Sequence, residues 1–365
     1  MGLFDFLKKY IGLQKPTSNH DNESFSVNTA DAIPVSKRIA GTEPQCNGLY
    51  PHEILMLSYA PKYIVGNKSF QGFWWNSYGV KNPESVLESL RNRGFLDVGS
   101  VEATINNLKG AELKELLKSH DLKSSGAKAD LVNRVITEIP TSELENLYPT
   151  RYYILTDIGQ ETVNKEPCVL YIHQNPVDGL DIFSVSKLVH TQPYLPYRDK
   201  IWGHLNNISM QYISRGDFGL YRNCRFRMAS FLEEEGKIKD ALNMMCEVLF
   251  YDANDMMNGF NPQFADIYLD RIDPGFTCIP PGIVSAVQNY QKQLNMTDDQ
   301  LLDFIKQSMA RINNGLAPFT PDEAFEIVKA KMTGDESKLP KIYSNARSRF
   351  KKTYNIKTTR CALKK

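Results

Sequence analysis

No GxxxxGK[ST] phosphate loop, GxGxxG, HExxH or GxSxG occurs in the 365 residues, which excludes the best-known nucleotide, metal-hydrolase and acyl-transfer signatures. Cysteine is sparse and scattered. Cys46, Cys168, Cys224, Cys246, Cys278 and Cys361 form no CxxC pair and none lies at zinc-ligand spacing from a histidine, so free thiols are expected and a structural zinc site is not. No stretch of 18 apolar residues is present, so no membrane span is expected. The N-terminal MGLFDFLKKYIGLQ does not place basic residues before its apolar ones as a signal peptide does, and the chain is expected in the cytoplasm. That stretch sets Leu3, Phe4, Phe6, Leu7 and Ile11 opposite Lys8 and Lys9, the pattern of a surface-docking helix or of a frayed terminal one. Phe6 stands where myristoylation favours Ser or Thr.

Catalytic groups are equally hard to assemble. DANDMMNG, from Asp252, has its third ligand and its glycine out of calcium-loop register and no closing Glu, so it reads as a helix end. Asp178 with Asp181 and Asp266 with Asp270 are the acid pairs that metal-dependent nuclease chemistry would use, but scattered carboxylates are ordinarily solvated surface. His173, His190 and His204 have no nucleophile nearby and are expected to be packed or exposed. The expectation is no catalytic residue, no metal and no cofactor.

What is present supports packed domains. Hydrophobic residues make up 42% and aromatics 11%, enough for cores, and the length suggests two or three domains. The net charge of +1 conceals strong segregation. From Leu232 to Asp303 there are 13 Asp/Glu and 4 Lys/Arg, whereas 341–365 has nine Lys/Arg and no acid.

The most informative stretch runs from Leu108 to Val135, LKGAELKELLKSHDLKSSGAKADLVNRV. Leu113, Leu116 and Leu117, then Leu131, Val132 and Val135, recur at helical spacing and give two short amphipathic helices whose stripes are expected to be buried against each other. Between them the polar run Asp121 to Gly126 cannot continue a helix, and Leu122 is the expected anchor of that loop.

Leu113, Lys114, Leu117, Leu122, Gly126, Lys128, Leu131, Val132 and Arg134 together resemble the SAP motif, a helix, extended loop, helix unit. The resemblance, to SAP proteins of bacterial or phage type, covers about 30 residues and implies a module that binds duplex DNA, AT-rich by preference, without base readout. Two positions depart from the usual pattern. Asp121 stands where the family has Gly before the loop leucine, and Ala127 where it has Thr or Ser after the loop glycine. Losing that hydroxyl cap costs about 1 kcal/mol, although Asp130 in the first turn adds dipole stabilisation. By this resemblance Leu113, Leu117, Leu122, Leu131 and Val132 form the motif core, while Lys114, Lys118, Lys123, Lys128 and Arg134 neutralise phosphates and the amides of Ser124, Ser125 and Gly126 bind them.

The flanks suggest a frame. Residues 1–48 read as an N-terminal segment and polar linker. In GLYPHEILMLSYAPKYI, Pro51 suits a first helical position, and Asn82 with Pro83 caps a second helix that stops at Gly94. Phe70, Phe73, Trp74, Trp75 and Tyr78 are dense enough to build a core, or to offer a stacking surface. The helix running into Phe95 and Leu96, with a return at Tyr153, Leu155, Thr156 and Gly159, partly resembles a winged helix with the SAP unit (104–139) inserted at its wing. Lys81, Arg91 and Arg93 would then face the duplex; the alternative is a plain helix and hairpin supporting the SAP unit. Residues 169–183 alternate between apolar runs and turn residues, as a hairpin or irregular loops do.

Beyond a boundary near 196, residues 197–340 read as an α-helical domain. Met228, Ala229, Leu232, Ala241, Met245 and Val248, within 222–255, weakly resemble one tetratricopeptide unit, and an ordinary bundle fits equally. Thr297 with Gln300 and Thr320 with Glu323 are capping boxes for helices near 298–313 and 321–332. The basic tail, 341–365, interleaves Tyr343, Phe350 and Tyr354 with its charges, which suits either a phosphate-following segment with stacking aromatics or a tail folded onto the chain's own acids. The fold class expected is mainly α with a small α+β N-terminal part. The function expected is non-enzymatic double-stranded DNA binding, with a protein partner on the acidic helical region 232–303. A scaffold with a purely structural SAP unit and a DNA-processing enzyme are the rivals.

Overall fold

The computed structural model describes residues 37, 39, 41–191, 193–276 and 279–356. The amphipathic N-terminal stretch, most of the 1–48 segment, Cys278 and Cys361 lie outside the described residues. Among those described, 18 α-helices stand against two three-residue strands, so the chain is mainly α with a small α+β part. It divides between Lys200 and Ile201 into two compact units.

In the N-terminal unit, α1 (Pro51–Tyr59) starts on its proline, and Glu53 Oε2 accepts from Tyr50 N–H at 2.9 Å to cap it. Its Ile54, Leu55, Met56 and Leu57 are all buried. α2 (Phe73–Asn76) drives Trp74 into the interior, where Trp74 Nε1 donates to Tyr63 Oη at 2.9 Å. The aromatic cluster is therefore core, with Tyr59, Tyr78 and Phe73 gathered around His173, although Trp75 remains 46% exposed. α3 (Pro83–Asn92) begins at Asn82, whose Oδ1 accepts from Ser85 N–H at 3.1 Å, and buries Leu87 and Leu90. Gly94 ends it at φ +82°, which lets Phe95 N–H reach Leu90 O at 2.9 Å.

From there the chain enters β1 (Leu96–Val98) and leaves it for four helices: α4 (Val101–Asn107), α5 (Gly110–Ser119), α6 (Lys128–Glu138) and α7 (Thr141–Leu147). It returns as β2 (Tyr153–Leu155), antiparallel to β1 with Leu96 opposite Leu155 and Val98 opposite Tyr153. Thr156 then joins three pieces. Its Oγ1 donates to Gly94 O at 2.7 Å, its N–H donates to Phe95 O at 3.2 Å, and its hydroxyl accepts from Gly159 N–H to start α8 (Asp157–Lys165). A Cβ at Gly159 would sit 2.2 Å from Phe95 O, so only glycine lets α8 approach the strand this closely.

Residues 169–183, expected to be a hairpin or irregular loops, form instead most of α9 (Pro167–Gln174), a tight turn and the start of α10 (Ile182–Thr191). Pro167 opens α9, and Cys168, Val169 and Ile172 bury one face. Asp181, one of the acids weighed for metal chemistry, is the N-terminal cap of α10: its Oδ1 accepts from Phe183 N–H at 3.0 Å and Ser184 N–H at 2.8 Å. Helical spacing was present in both segments. The central turn around Pro176 and Gly179 masked it.

The remaining helices are α11 (Tyr197–Arg215), α12 (Phe218–Glu234), α13 (Ile238–Asn254), α14 (Ala265–Leu269), α15 (Pro281–Gln293), α16 (Asp298–Met309), α17 (Pro321–Thr333) and α18 (Leu339–Thr353). α12 and α13 pack as a pair, with Met228, Ala229, Leu232, Ala241, Met245 and Val248 buried. Both capping boxes form, at Thr297 with Gln300 and Thr320 with Glu323. Asp252 and Asp255 close α13, as a helix end rather than a calcium loop.

α18 places the aromatics and two of the arginines of the basic tail against the C-terminal unit itself. Tyr343 and Phe350 are 5% and 4% exposed within the C-terminal core, and Tyr354 packs beside them, so these aromatics are not a stacking platform. Arg347 donates to Leu269 O at 2.9 Å and pairs with Asp270, and Arg349 pairs with Glu323. Residues 357–365 lie outside the described residues.

The SAP helices share one core with α4 and α7. Val101, Ile105 and Leu144 are buried with Leu113, Leu117, Leu131 and Val135, so the two stripes are not buried against each other alone. Replacing Leu144, 2% exposed, by Ala is expected to cost about 2–5 kcal/mol and to speed amide exchange at Leu117 and Val135. Unchanged exchange at those amides would show that the hairpin is independent of α7.

Candidate nucleic-acid interface

The loop between α5 and α6 is shaped by how α5 ends. Leu122 N–H donates to Leu117 O at 2.8 Å and Asp121 N–H to Lys118 O at 3.1 Å, the paired bonds of a helix closed by a left-handed residue. That residue is Asp121, at φ +54°. The family's glycine at this position thus has a physical reason, and Asp tolerates the conformation better than most side chains. The same turn directs Leu122 back against Leu117 in the small core.

Arg134, half-buried on α6, fixes the rest of the loop. Its Nη1 donates to the carbonyls of Lys123 and Ser125, the latter at 3.3 Å. With the carbonyls held inward, the N–H groups of Ser124, Ser125 and Gly126 make no hydrogen bond among the described residues. They lie just before the N-terminus of α6, where the helix dipole favours an anion. Ala127 offers no side-chain cap, but Asp130 Oδ2 accepts from its N–H at 3.2 Å. Arg134 therefore positions the loop, a role its sequence position next to the core residues did not disclose.

Lys114, Lys118, Lys123 and Lys128 are exposed and form no ion pair among the described residues. Ser125 and Gly126 are exposed and Ser124 half-buried, while Leu113, Leu117, Leu131 and Val132 are buried as motif core. The unit is tied to its frame by Thr104 Oγ1 donating to Thr150 O at 2.8 Å and by Asn107 Nδ2 donating to Pro61 O at 3.1 Å.

The three frame cations divide. Lys81 and Arg91 are exposed and unpaired among the described residues. Arg93 is not available as a phosphate ligand: its Nη1 lies 2.6 Å from Glu53 Oε1, its Nη2 donates to Gly48 O at 3.2 Å, and it stacks over Phe95. A buried carboxylate opposite a guanidinium holds it far more firmly than an exposed pair would.

His120, the C-cap residue of α5, is a further polar link, of the kind a histidine at a helix C-terminus signals. Its Nδ1 faces Leu116 O at 2.8 Å and its Nε2 faces Glu143 Oε1 at 3.0 Å, linking α5 to α7. Only the imidazolium can donate from both nitrogens. The Leu116 carbonyl first, and the Glu143 carboxylate second, raise its pKa above the ordinary histidine value.

The SAP-domain family model matches residues 104–139. The match begins within α4 and ends at Ile139, so the folded unit reaches beyond it to Val101 and Leu144. No curated protein and no solved structure matches the chain. A SAP domain, a nucleic-acid-binding motif, is thus present at 104–139, and the four free lysines and three free amides lie within it.

Two outcomes follow from this geometry. Asp121→Gly relieves left-handed strain of about 1–2 kcal/mol and gives back about 0.5–1 kcal/mol in unfolded-chain entropy. A rise in the urea midpoint of the SAP unit is therefore expected, and a fall would contradict the strain argument. His120 has a folded pKa above its unfolded one, so its stabilisation is complete below about pH 6.5 and is lost as pH rises through the folded value. The urea midpoint read from a SAP amide is expected to drop between pH 6 and pH 8 in the native chain and to drop less in His120→Asn.

Proposed function

We propose that this chain binds double-stranded DNA by its phosphates through the SAP domain, without catalysis. The observation that carries this reading is the loop itself: three backbone N–H groups just before a helix N-terminus that make no hydrogen bond among the described residues, in a unit whose exposed Lys114, Lys118, Lys123 and Lys128 form no ion pair among them. Backbone amides and lysines read charge and spacing rather than base edges, so they support weak and sequence-tolerant contact, with AT-rich duplex the preference that the SAP resemblance implies.

The pairing of β1 with β2 around residues 99–152 supports a winged-helix-like frame carrying the SAP unit at its wing, with Lys81 and Arg91 as additional phosphate contacts. A cytoplasmic protein of bacterial or phage type fits the resemblance and the free thiols at Cys46, Cys168 and Cys246. Non-enzymatic action is supported by the use of one acid of each candidate pair elsewhere: Asp181 caps a helix and Asp270 faces Arg347.

A protein partner on the C-terminal unit is favoured by a separate observation. Met257, Phe264, Ile267 and Phe276 are 45–64% exposed within the acidic stretch, and exposed large apolar side chains of this kind are what a protein partner would bury. Several of that stretch's acids are already neutralised, Asp252 by Arg222, Glu247 by Arg225 and Asp255 by Arg271. Apolar side chains rather than bulk negative charge would therefore carry such an interface.

Titration of the full chain on AT-rich and GC-rich duplex across a salt series tests the DNA reading. Each phosphate neutralised steepens the log–log salt slope by about 0.9, so Lys114→Ala, Lys118→Ala and Lys128→Ala together are expected to reduce the slope by about 2.7. A native affinity indifferent to salt would rule the mechanism out.

A further inference from the structure

The outward face of α18 has no role in the SAP contact or in the C-terminal core. Leu339, Tyr343, Ala346 and Phe350 fill the buried face of this helix. On its two flanks Arg347 reaches Asp270 and the carbonyl of Leu269, and Arg349 reaches Glu323 and the carbonyl of Pro318. The arginines thus attach the helix to the body and neutralise the acids that would otherwise border it. What remains outward on the helix is Lys341, Ser344, Asn345, Ser348 and Lys352, all exposed. These five positions share one face at helical spacing.

We propose that this face is a second contact for the phosphate backbone of a nucleic acid, separate from the SAP domain. The side-chain ammonium of neither Lys341 nor Lys352 forms an ion pair or hydrogen bond among the described residues, and no Asp or Glu lies between 339 and 356. The two ammonium groups are carried on a rigid helix with their Cα atoms about 16 Å apart along its axis, with hydroxyls and amides between them. Lysine, serine and asparagine side chains are the ordinary ligands of phosphate oxygens. A membrane is the poorer fit, because the face offers no aromatic or aliphatic side chain to insert below charged headgroups. The sequence beyond, with Lys357, Arg360, Lys364 and Lys365, continues the same charge. Two modest contacts on one chain, each too weak alone, would reinforce one another by effective concentration.

The test uses the full chain, a duplex long enough for both contacts, and a salt series. Lys341→Ala with Lys352→Ala is expected to lower the log–log salt slope by about 1.8 and to weaken binding at every salt concentration, while Lys341→Arg with Lys352→Arg keeps both close to native. Because both side chains are exposed and unpaired, the thermal midpoint is expected to hold, which separates lost contact from lost fold. Repeating the substitutions in a chain carrying Lys114→Glu, Lys118→Glu and Lys128→Glu distinguishes this proposal from the SAP reading. A further loss of duplex binding there supports a second contact. If the SAP changes have no effect while the α18 changes do, the SAP reading fails and this one stands. An unchanged slope in the Lys341→Ala, Lys352→Ala chain overturns the proposal whatever the SAP lysines do. Retention on vesicles rich in anionic lipid, lost with the same substitutions while duplex binding is not, also overturns it in favour of a membrane surface.

Discussion

The fork of Arg134 against the carbonyls of Lys123 and Ser125 is the interaction on which the SAP loop depends. A loop with its carbonyls outward would repel phosphate, and one free to collapse would satisfy its own amides. Holding the carbonyls inward by a guanidinium leaves N–H groups exposed at the start of α6, where the dipole reinforces them. Leu122 fixes the other end of the loop by the left-handed turn at Asp121. Charge on the surrounding lysines then acts on a geometry that is already set.

That small unit is stabilised by its neighbours. Two short helices bury too little to hold alone, and α4 and α7 supply Val101, Ile105 and Leu144 to a shared core. The frame holds both ends of the insertion close together, because β1 and β2 are paired across it and Thr156 ties β2 to the end of α3. An excursion of the chain between two bonded strands keeps its ends fixed while its own surface stays free to meet a ligand.

The charge segregation of the sequence has a different meaning once folded. The negative stretch meets the positive tail in the C-terminal unit where Arg347 of α18 faces Asp270; Arg349 pairs with Glu323 beyond that stretch, and arginines of α12 answer Asp252 and Glu247 within it. Part of what composition presents as two opposed surfaces is neutralisation within the unit. The aromatics of the tail follow the same course, since Tyr343 and Phe350 are more stabilising in an apolar core than in water.

Local signals in the sequence sufficed wherever the physics was local. Asn82 with Pro83, Thr297 with Gln300, and Thr320 with Glu323 placed helix starts because a cap satisfies N–H groups a few residues away. Leu113 to Val135 displayed the SAP hairpin because its stripes, loop and leucine anchor are contiguous, and the mainly α class followed from the same periodicity. α9 and α10 escaped notice because a turn between them hid two short stripes. Only the tertiary structure decided which cations are free. Lys114 and Arg93 look alike in sequence, but Glu53, 40 residues away, meets the arginine and no acid among the described residues meets the lysine. The identity of a side chain's partner depends on how distant segments are brought together, which spacing along the chain does not encode.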